Sequence, residues 1–97
     1  MLHELLSVYL ADSASYLSNL REAWKTSDQT RFVRAAHKLK GAISYFCSDE
    51  LAAEARWLEE TAARQGMAAC AARLPRFEAD VERMNHEASD FVRRKAA

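Results

Sequence analysis

The sequence predicts an all-α domain, an antiparallel up-down four-helix bundle whose last helix is kinked or broken near Pro75. Three observations predict it. The 97 residues include only two glycines and one proline, too few for the tight turns that an all-β domain requires. Apolar residues recur at steps of three and four along most of the chain, the period of a helix that buries one face. The breaks between these stripes span about two to four residues, and short connections make consecutive helices antiparallel neighbours.

The first helix is expected over about residues 2–26. There Leu2, Leu6, Tyr9, Ser13, Tyr16, Leu20 and Ala23 alternate at steps of four and three, and Leu5, Leu10 and Leu17 widen the stripe. Ser27 and Asp28 offer N-cap oxygens for a second helix with the stripe Phe32, Ala36, Leu39, Ile43 and Phe46. Ser48 starts a third, with Asp49 and Glu50 placed to suit the positive end of the helix dipole. Its stripe is Leu51, Ala55, Leu58 and Ala62, and Gly66 is its stop. The last segment carries Leu74, Phe77, Val81, Met84, Ala88 and Phe91 and ends in Arg93, Arg94 and Lys95, a match to the negative end of a helix. Pro75 lacks an N–H and crowds the preceding turn. It should therefore separate a short Ala-rich helix near 67–73 from a longer one.

This length supports a single domain over residues 1–97, with no repeat, linker or internal boundary. Fourteen basic residues balance 14 acidic ones, so no global field gathers nucleic acid or an anionic membrane, and neither is expected as a partner. Any such binding would have to be local. Cys47 and Cys70, without CxxC spacing, fit a reducing cytoplasm better than a disulfide framework or a zinc site. The amphipathic, acid-containing N-terminus is unlike a signal peptide, and the apolar runs fall far short of the roughly 20 residues that span a bilayer. A start at Met1-Leu2, already inside a helical pattern, is what a domain cut from a longer chain would show. The parent would then be anchored at the inner membrane, with this piece in the cytoplasm.

The second helix holds the candidate chemistry. With Phe32 at zero and about 100° per residue, its apolar stripe lies within about 40° of zero and His37 near 140°, on the solvent side. Arg34 and Lys40 lie one turn before and after His37, and Gly41 follows at i+4. A mid-helix glycine costs about 1 kcal/mol relative to alanine, and on this outer face it adds nothing to the core. Clearance for a bulky partner beside the imidazole is a physical reason to accept that cost. A merely solvated His-Lys face has no account of Gly41. A neutral imidazole nitrogen is nucleophilic near neutral pH, and adjacent cations can pair with phosphoryl oxygens.

Other candidates carry less. His3 lies near a helix end, and His86 has Glu82 at i−4 but no further ligand, so neither forms a metal site. Trp24 and Trp57 are expected to pack, and Cys47 to be a small buried side chain.

The segment Ala36-His37-Lys38-Leu39-Lys40-Gly41, followed by Leu51 and then Leu58-Glu59, resembles the signature of histidine-containing phosphotransfer (HPt) domains of multistep phosphorelays. The resemblance extends over nearly the whole chain, including the Leu-rich first helix and the Leu-Pro-x-Phe opening of the last. It implies that His37 accepts and donates a phosphoryl group, that Lys40 stabilises the phosphorylated state, and that Gly41 admits the partner. In such domains a Gln or Glu of the next helix can hydrogen-bond the imidazole, a position that falls on Glu59. Arg34 is a candidate for electrostatic support. The chain departs from the family at Tyr45 and Cys47, where Asn and then Gly are common, so the loop into the third helix should be shaped differently.

The resemblance implies a phosphorelay intermediate that takes a phosphoryl group from a receiver-domain aspartate and passes it to another receiver. It would be a monomer without autonomous kinase activity or cofactor, Mg²⁺ belonging to the partner receiver domain, and the parent would be a hybrid sensor kinase. Receivers are expected to cover an apolar patch near Val33, Ala36 and Ser44, together with part of the first helix. Two alternatives stand beside this reading. One is the dimerising phosphoacceptor region of a sensor kinase, although Lys38 occupies the place where such regions usually carry an acid. The other is a helical adaptor in which His37 is incidental.

Overall fold

The structure, a computed structural model, describes residues 2–45 and 49–96. Phe46, Cys47 and Ser48, and the side chains of Leu2, His3, Leu6 and Lys95, lie outside the described residues, and the expectations that fall on them with these. The described elements are α1 (Leu2–Thr26), α2 (Gln29–Tyr45), α3 (Asp49–Gln65), a 3-10 turn (Met67–Cys70) and α4 (Leu74–Ala96). They form the expected four-helix bundle. Helix α1 packs on α2 and α4, and α3 packs on the same two, so the four helices close a ring.

The apolar stripes meet at the centre. Leu17, Leu20 and Ala23 of α1, Phe32, Ala36, Leu39 and Ile43 of α2, and Leu51, Ala55, Leu58 and Ala62 of α3 are all buried, with Cys70, Leu74, Phe77 and Val81. Trp24 stacks at a tilt on Phe32, 5.9 Å between ring centres, and the Arg73 guanidinium lies 4.2 Å from the centre of the Trp57 ring. Both indoles serve packing.

The polar member of the first stripe is explained across the bundle. Ser13 is fully buried, and its hydroxyl and that of Tyr9 both donate to Asn85 Oδ1 of α4, each at 3.0 Å. One expectation fails at the end of α4, where Phe91 is exposed. Helices α1 and α4 have 25 and 23 residues, whereas α2 and α3 have 17 each. The longer pair therefore extends about 10 Å beyond the shorter one, and α2 and α3 do not reach the last turns of the α4 stripe.

The helix ends correct two details. Ser27 is not an N-cap: at φ 57° it is the left-handed residue that closes α1. Its N–H donates to Trp24 C=O at 3.3 Å and that of Asp28 to Ala23 C=O at 2.9 Å, a Schellman cap. Asp28 alone caps α2, its Oδ1 accepting the Arg31 N–H at 3.1 Å. Gly66, at φ 94°, stops α3 as expected, its N–H donating to Ala62 C=O. The short helix near 67–73 is only a 3-10 turn followed by residues 71–73 in a turn. The break thus precedes Pro75, which sits in the first turn of α4, where a missing N–H has no helical acceptor to lose.

Candidate functional site

Burial of Phe32, Ala36, Leu39 and Ile43 fixes the rotation of α2 and turns its opposite face outward. His37 lies on that face with 61% of its side chain exposed. On α3, fully buried Leu58 holds the next residue, Glu59, at the α2–α3 seam, where it is 20% exposed. The two helices meet through this carboxylate. Glu59 Oε2 lies 2.8 Å from His37 Nδ1, and Oε1 accepts from Lys40 Nζ at 3.0 Å.

The bridge sets the chemistry of the ring. Burial alone would raise the Glu59 pKa, but hydrogen bonds from Lys40 and His37 outweigh it and hold the carboxyl below its ordinary value. An ionised carboxylate only accepts hydrogen bonds, so His37 Nδ1 carries the proton that it donates. In the neutral ring the lone pair then resides on Nε2. That nitrogen has no hydrogen-bond partner among the described residues.

Gly41 is exposed, and a Cβ built on it would meet nothing within 4 Å. Nothing among the described residues requires a glycine there. Ser44, one turn from Lys40 and also exposed, donates its hydroxyl to Lys40 C=O at 2.8 Å. Tyr45, the last residue of α2, is 69% exposed.

Arg34 does not join the bridge. It lines a groove of about 480 Å³ between α1 and α2 with Arg31 and Lys38. Two α1 residues in that groove were not read from sequence as part of the site: Asn19, which accepts from Arg31 at 3.0 Å, and Tyr16, expected only in the apolar stripe, whose ring lies 5.6 Å from Lys38 Nζ. No pattern within α2 could have named them, because they are set by the register of α1 against it. The expected docking patch is corrected at Ala36, which is fully buried; Val33 is half-buried against the core.

Elsewhere, His86 pairs with Asp90 at 3.6 Å rather than with Glu82, which is held by Arg21. Among the described residues no three His, Cys, Asp or Glu side chains are grouped to hold a metal ion, and no helix is long and apolar enough to cross a membrane. Cys70 is buried, with its thiol donating to Leu58 C=O at 3.6 Å, and burial pushes its pKa up.

The family model of the Hpt domain matches residues 4–87. No curated protein and no solved structure matches the chain.

Proposed function

Because the chain belongs to the Hpt domain family, whose members act in phosphorelays, we propose that His37 accepts a phosphoryl group from a receiver-domain aspartyl phosphate and passes it to a second receiver. The observation that carries this reading is the Glu59 bridge. It ties down Nδ1 and Lys40 together while the other ring nitrogen has no partner among the described residues.

The Nε2 lone pair attacks phosphorus in line, the bond from phosphorus to the aspartate oxygen breaks, and its electron pair returns to the aspartate as carboxylate. No proton has to move. The imidazole gains positive charge as the N–P bond forms, and the Glu59 carboxylate on Nδ1–H stabilises that charge. Lys40 lies one turn away, where a small movement of its flexible stem brings the ammonium to the phosphoryl oxygens while Glu59 still holds the ring. Reversal of these steps loads the next receiver. Catalysis of this kind depends on positioning and charge rather than on acid/base exchange. Mg²⁺, in this reading, belongs to the receiver. The domain is a carrier without kinase activity of its own.

The rival sensor-kinase region needs a second protomer to complete its bundle, whereas here the four helices of a single chain enclose the core. That supports a domain acting as a monomer. The test mixes the chain with phosphorylated receiver domains and follows labelled phosphate on wild type and on His37→Gln. An acid-labile, base-stable label on wild type alone is expected. Its absence with every receiver, or its persistence on His37→Gln, would falsify the assignment.

A further inference from the structure

Helix α2 carries Arg31, Arg34, Lys38 and Lys40 and none of the chain's 14 acidic residues. Elsewhere most arginines stand in ion pairs. On α3 and α4, Arg56 pairs with Glu60, Arg76 and Arg83 with Asp80, and Arg93 with Asp90. Between elements, Arg21 takes Glu78 and Glu82, and Arg73 takes Glu54. Of the four Arg and Lys side chains of α2, Lys40 alone has a carboxylate partner among the described residues, Glu59, which it shares with His37. Arg31 donates to a neutral amide oxygen, Lys38 stands over an aromatic ring, and Arg34 has no hydrogen bond or ion pair among the described residues.

These three cations line one groove between α1 and α2. The one carboxylate there, Asp28, lies at the start of α2 and is engaged in capping it. On the helical wheel, Gly41, Arg34, Lys38 and Arg31 fall at about 40°, 60°, 100° and 120° to one side of His37, and Lys40 falls at about 60° to the other. The side chain missing at Gly41 therefore opens His37 toward the cationic groove and not toward Glu59.

From this placement we propose that the groove is the electrostatic half of the docking surface, and that the receiver seats a carboxylate-bearing segment between α1 and α2 beside Gly41. The inference rests on the phosphotransfer reading and adds the chemistry of the partner's contact face. Cations left without carboxylates stabilise the isolated fold little, but they raise the encounter rate with an acidic surface by roughly 10- to 1,000-fold at low ionic strength.

The test uses Arg34→Glu and the triple variant R31E/R34E/K38E, with folding checked by circular dichroism. Arg34→Glu removes no internal partner, so it remains informative if the triple variant is unstable. Each protein is phosphorylated two ways: by phosphoramidate, a small donor that needs no docking, and by the phosphorylated receivers that load wild type. Expected are unchanged phosphoramidate labelling, transfer from receivers slowed about ten-fold or more for the triple variant, and a wild-type advantage that shrinks as salt rises. Transfer from receivers as fast in the variants as in wild type overturns the groove assignment and leaves His37 untouched. A parallel loss of phosphoramidate labelling also overturns it, since the cations would then act on the imidazole itself. Tight, charge-dependent binding of duplex DNA without any effect on receiver transfer would assign the groove to nucleic acid instead. No label on wild type from any receiver sinks the phosphotransfer reading, and this inference with it.

Discussion

Replacing Gly41 separates what the fold wants from what a partner wants, because the two effects have opposite signs. A Cβ at this position meets nothing within 4 Å, so alanine gains the full difference in helix propensity, about 1 kcal/mol, and glutamine slightly less. For a domain of 97 residues with an unfolding entropy of about 2 cal/mol/K per residue, 1 kcal/mol raises Tm by about 5 °C. Transfer should move the other way. A glutamine side chain reaches several ångströms outward beside His37, and misplacing reacting groups by about 1 Å costs about 100-fold in rate. The assay pairs thermal denaturation with transfer from phosphorylated receivers, and uses phosphoramidate as the donor that needs no clearance. Gly41→Gln should melt higher, label normally with phosphoramidate and accept from receivers about 100-fold more slowly. A lower Tm would mean that the glycine serves the fold, and unimpaired transfer would refute the clearance argument.

Lys40→Ala should weaken acceptance from receivers about ten-fold or more by removing the charge proposed to meet the phosphoryl oxygens; an unchanged transfer rate and phosphohistidine lifetime would remove Lys40 from the site. Glu59 is held below its ordinary value of 4.5 because its hydrogen bonds outweigh burial, so its contribution to stability is fully present above that pH. It is lost as pH falls through the lower folded value. Chemical denaturation from pH 6 to pH 3 should therefore show wild type losing more stability than Glu59→Gln, and equal losses would contradict an ionised bridge. Asn85→Ala should cost about 2 kcal/mol in the same assay, since it leaves the Ser13 and Tyr9 hydroxyls without their shared acceptor.

The helices were legible because burying one face forces a 3.6-residue period, and each described stripe residue from Leu17 to Val81 is in the core. Ser27 misled because a left-handed closing residue is commonly glycine, and a serine before Asp28 reads as a cap instead. Phe91 misled because periodicity reports the helix and not what lies opposite it. The site was legible in the same proportion. A wheel places His37 outward from α2 alone, but whether Glu59 reaches it depends on the rotation of α3, which sequence periodicity gives only modestly. Arg34 shows the limit of counting turns: i−3 and i+3 are both neighbours of His37, yet they lie about 120° apart. Lys40 falls toward α3 and Glu59, while Arg34 falls toward α1 and the groove.

Three features of α2 gain the isolated domain little or nothing. A largely exposed imidazole adds little to the core, a mid-helix glycine lowers helix stability, and cations without carboxylates forgo the i,i+4 pairs that α3 and α4 use. All three occur on one face, and that face is the one the core turns outward. A helical adaptor explains each separately as tolerated surface variation. A docking site for a phosphoryl donor explains them together: the imidazole reacts, the glycine admits, and the cations attract. Glu59 links this outward face to the fold, since it is anchored beside a fully buried leucine and holds both the reacting ring and the nearest ammonium. The bundle therefore acts as a rigid mount, and a substitution that loosens Leu58 should slow transfer through Glu59 even though Leu58 touches no phosphoryl group.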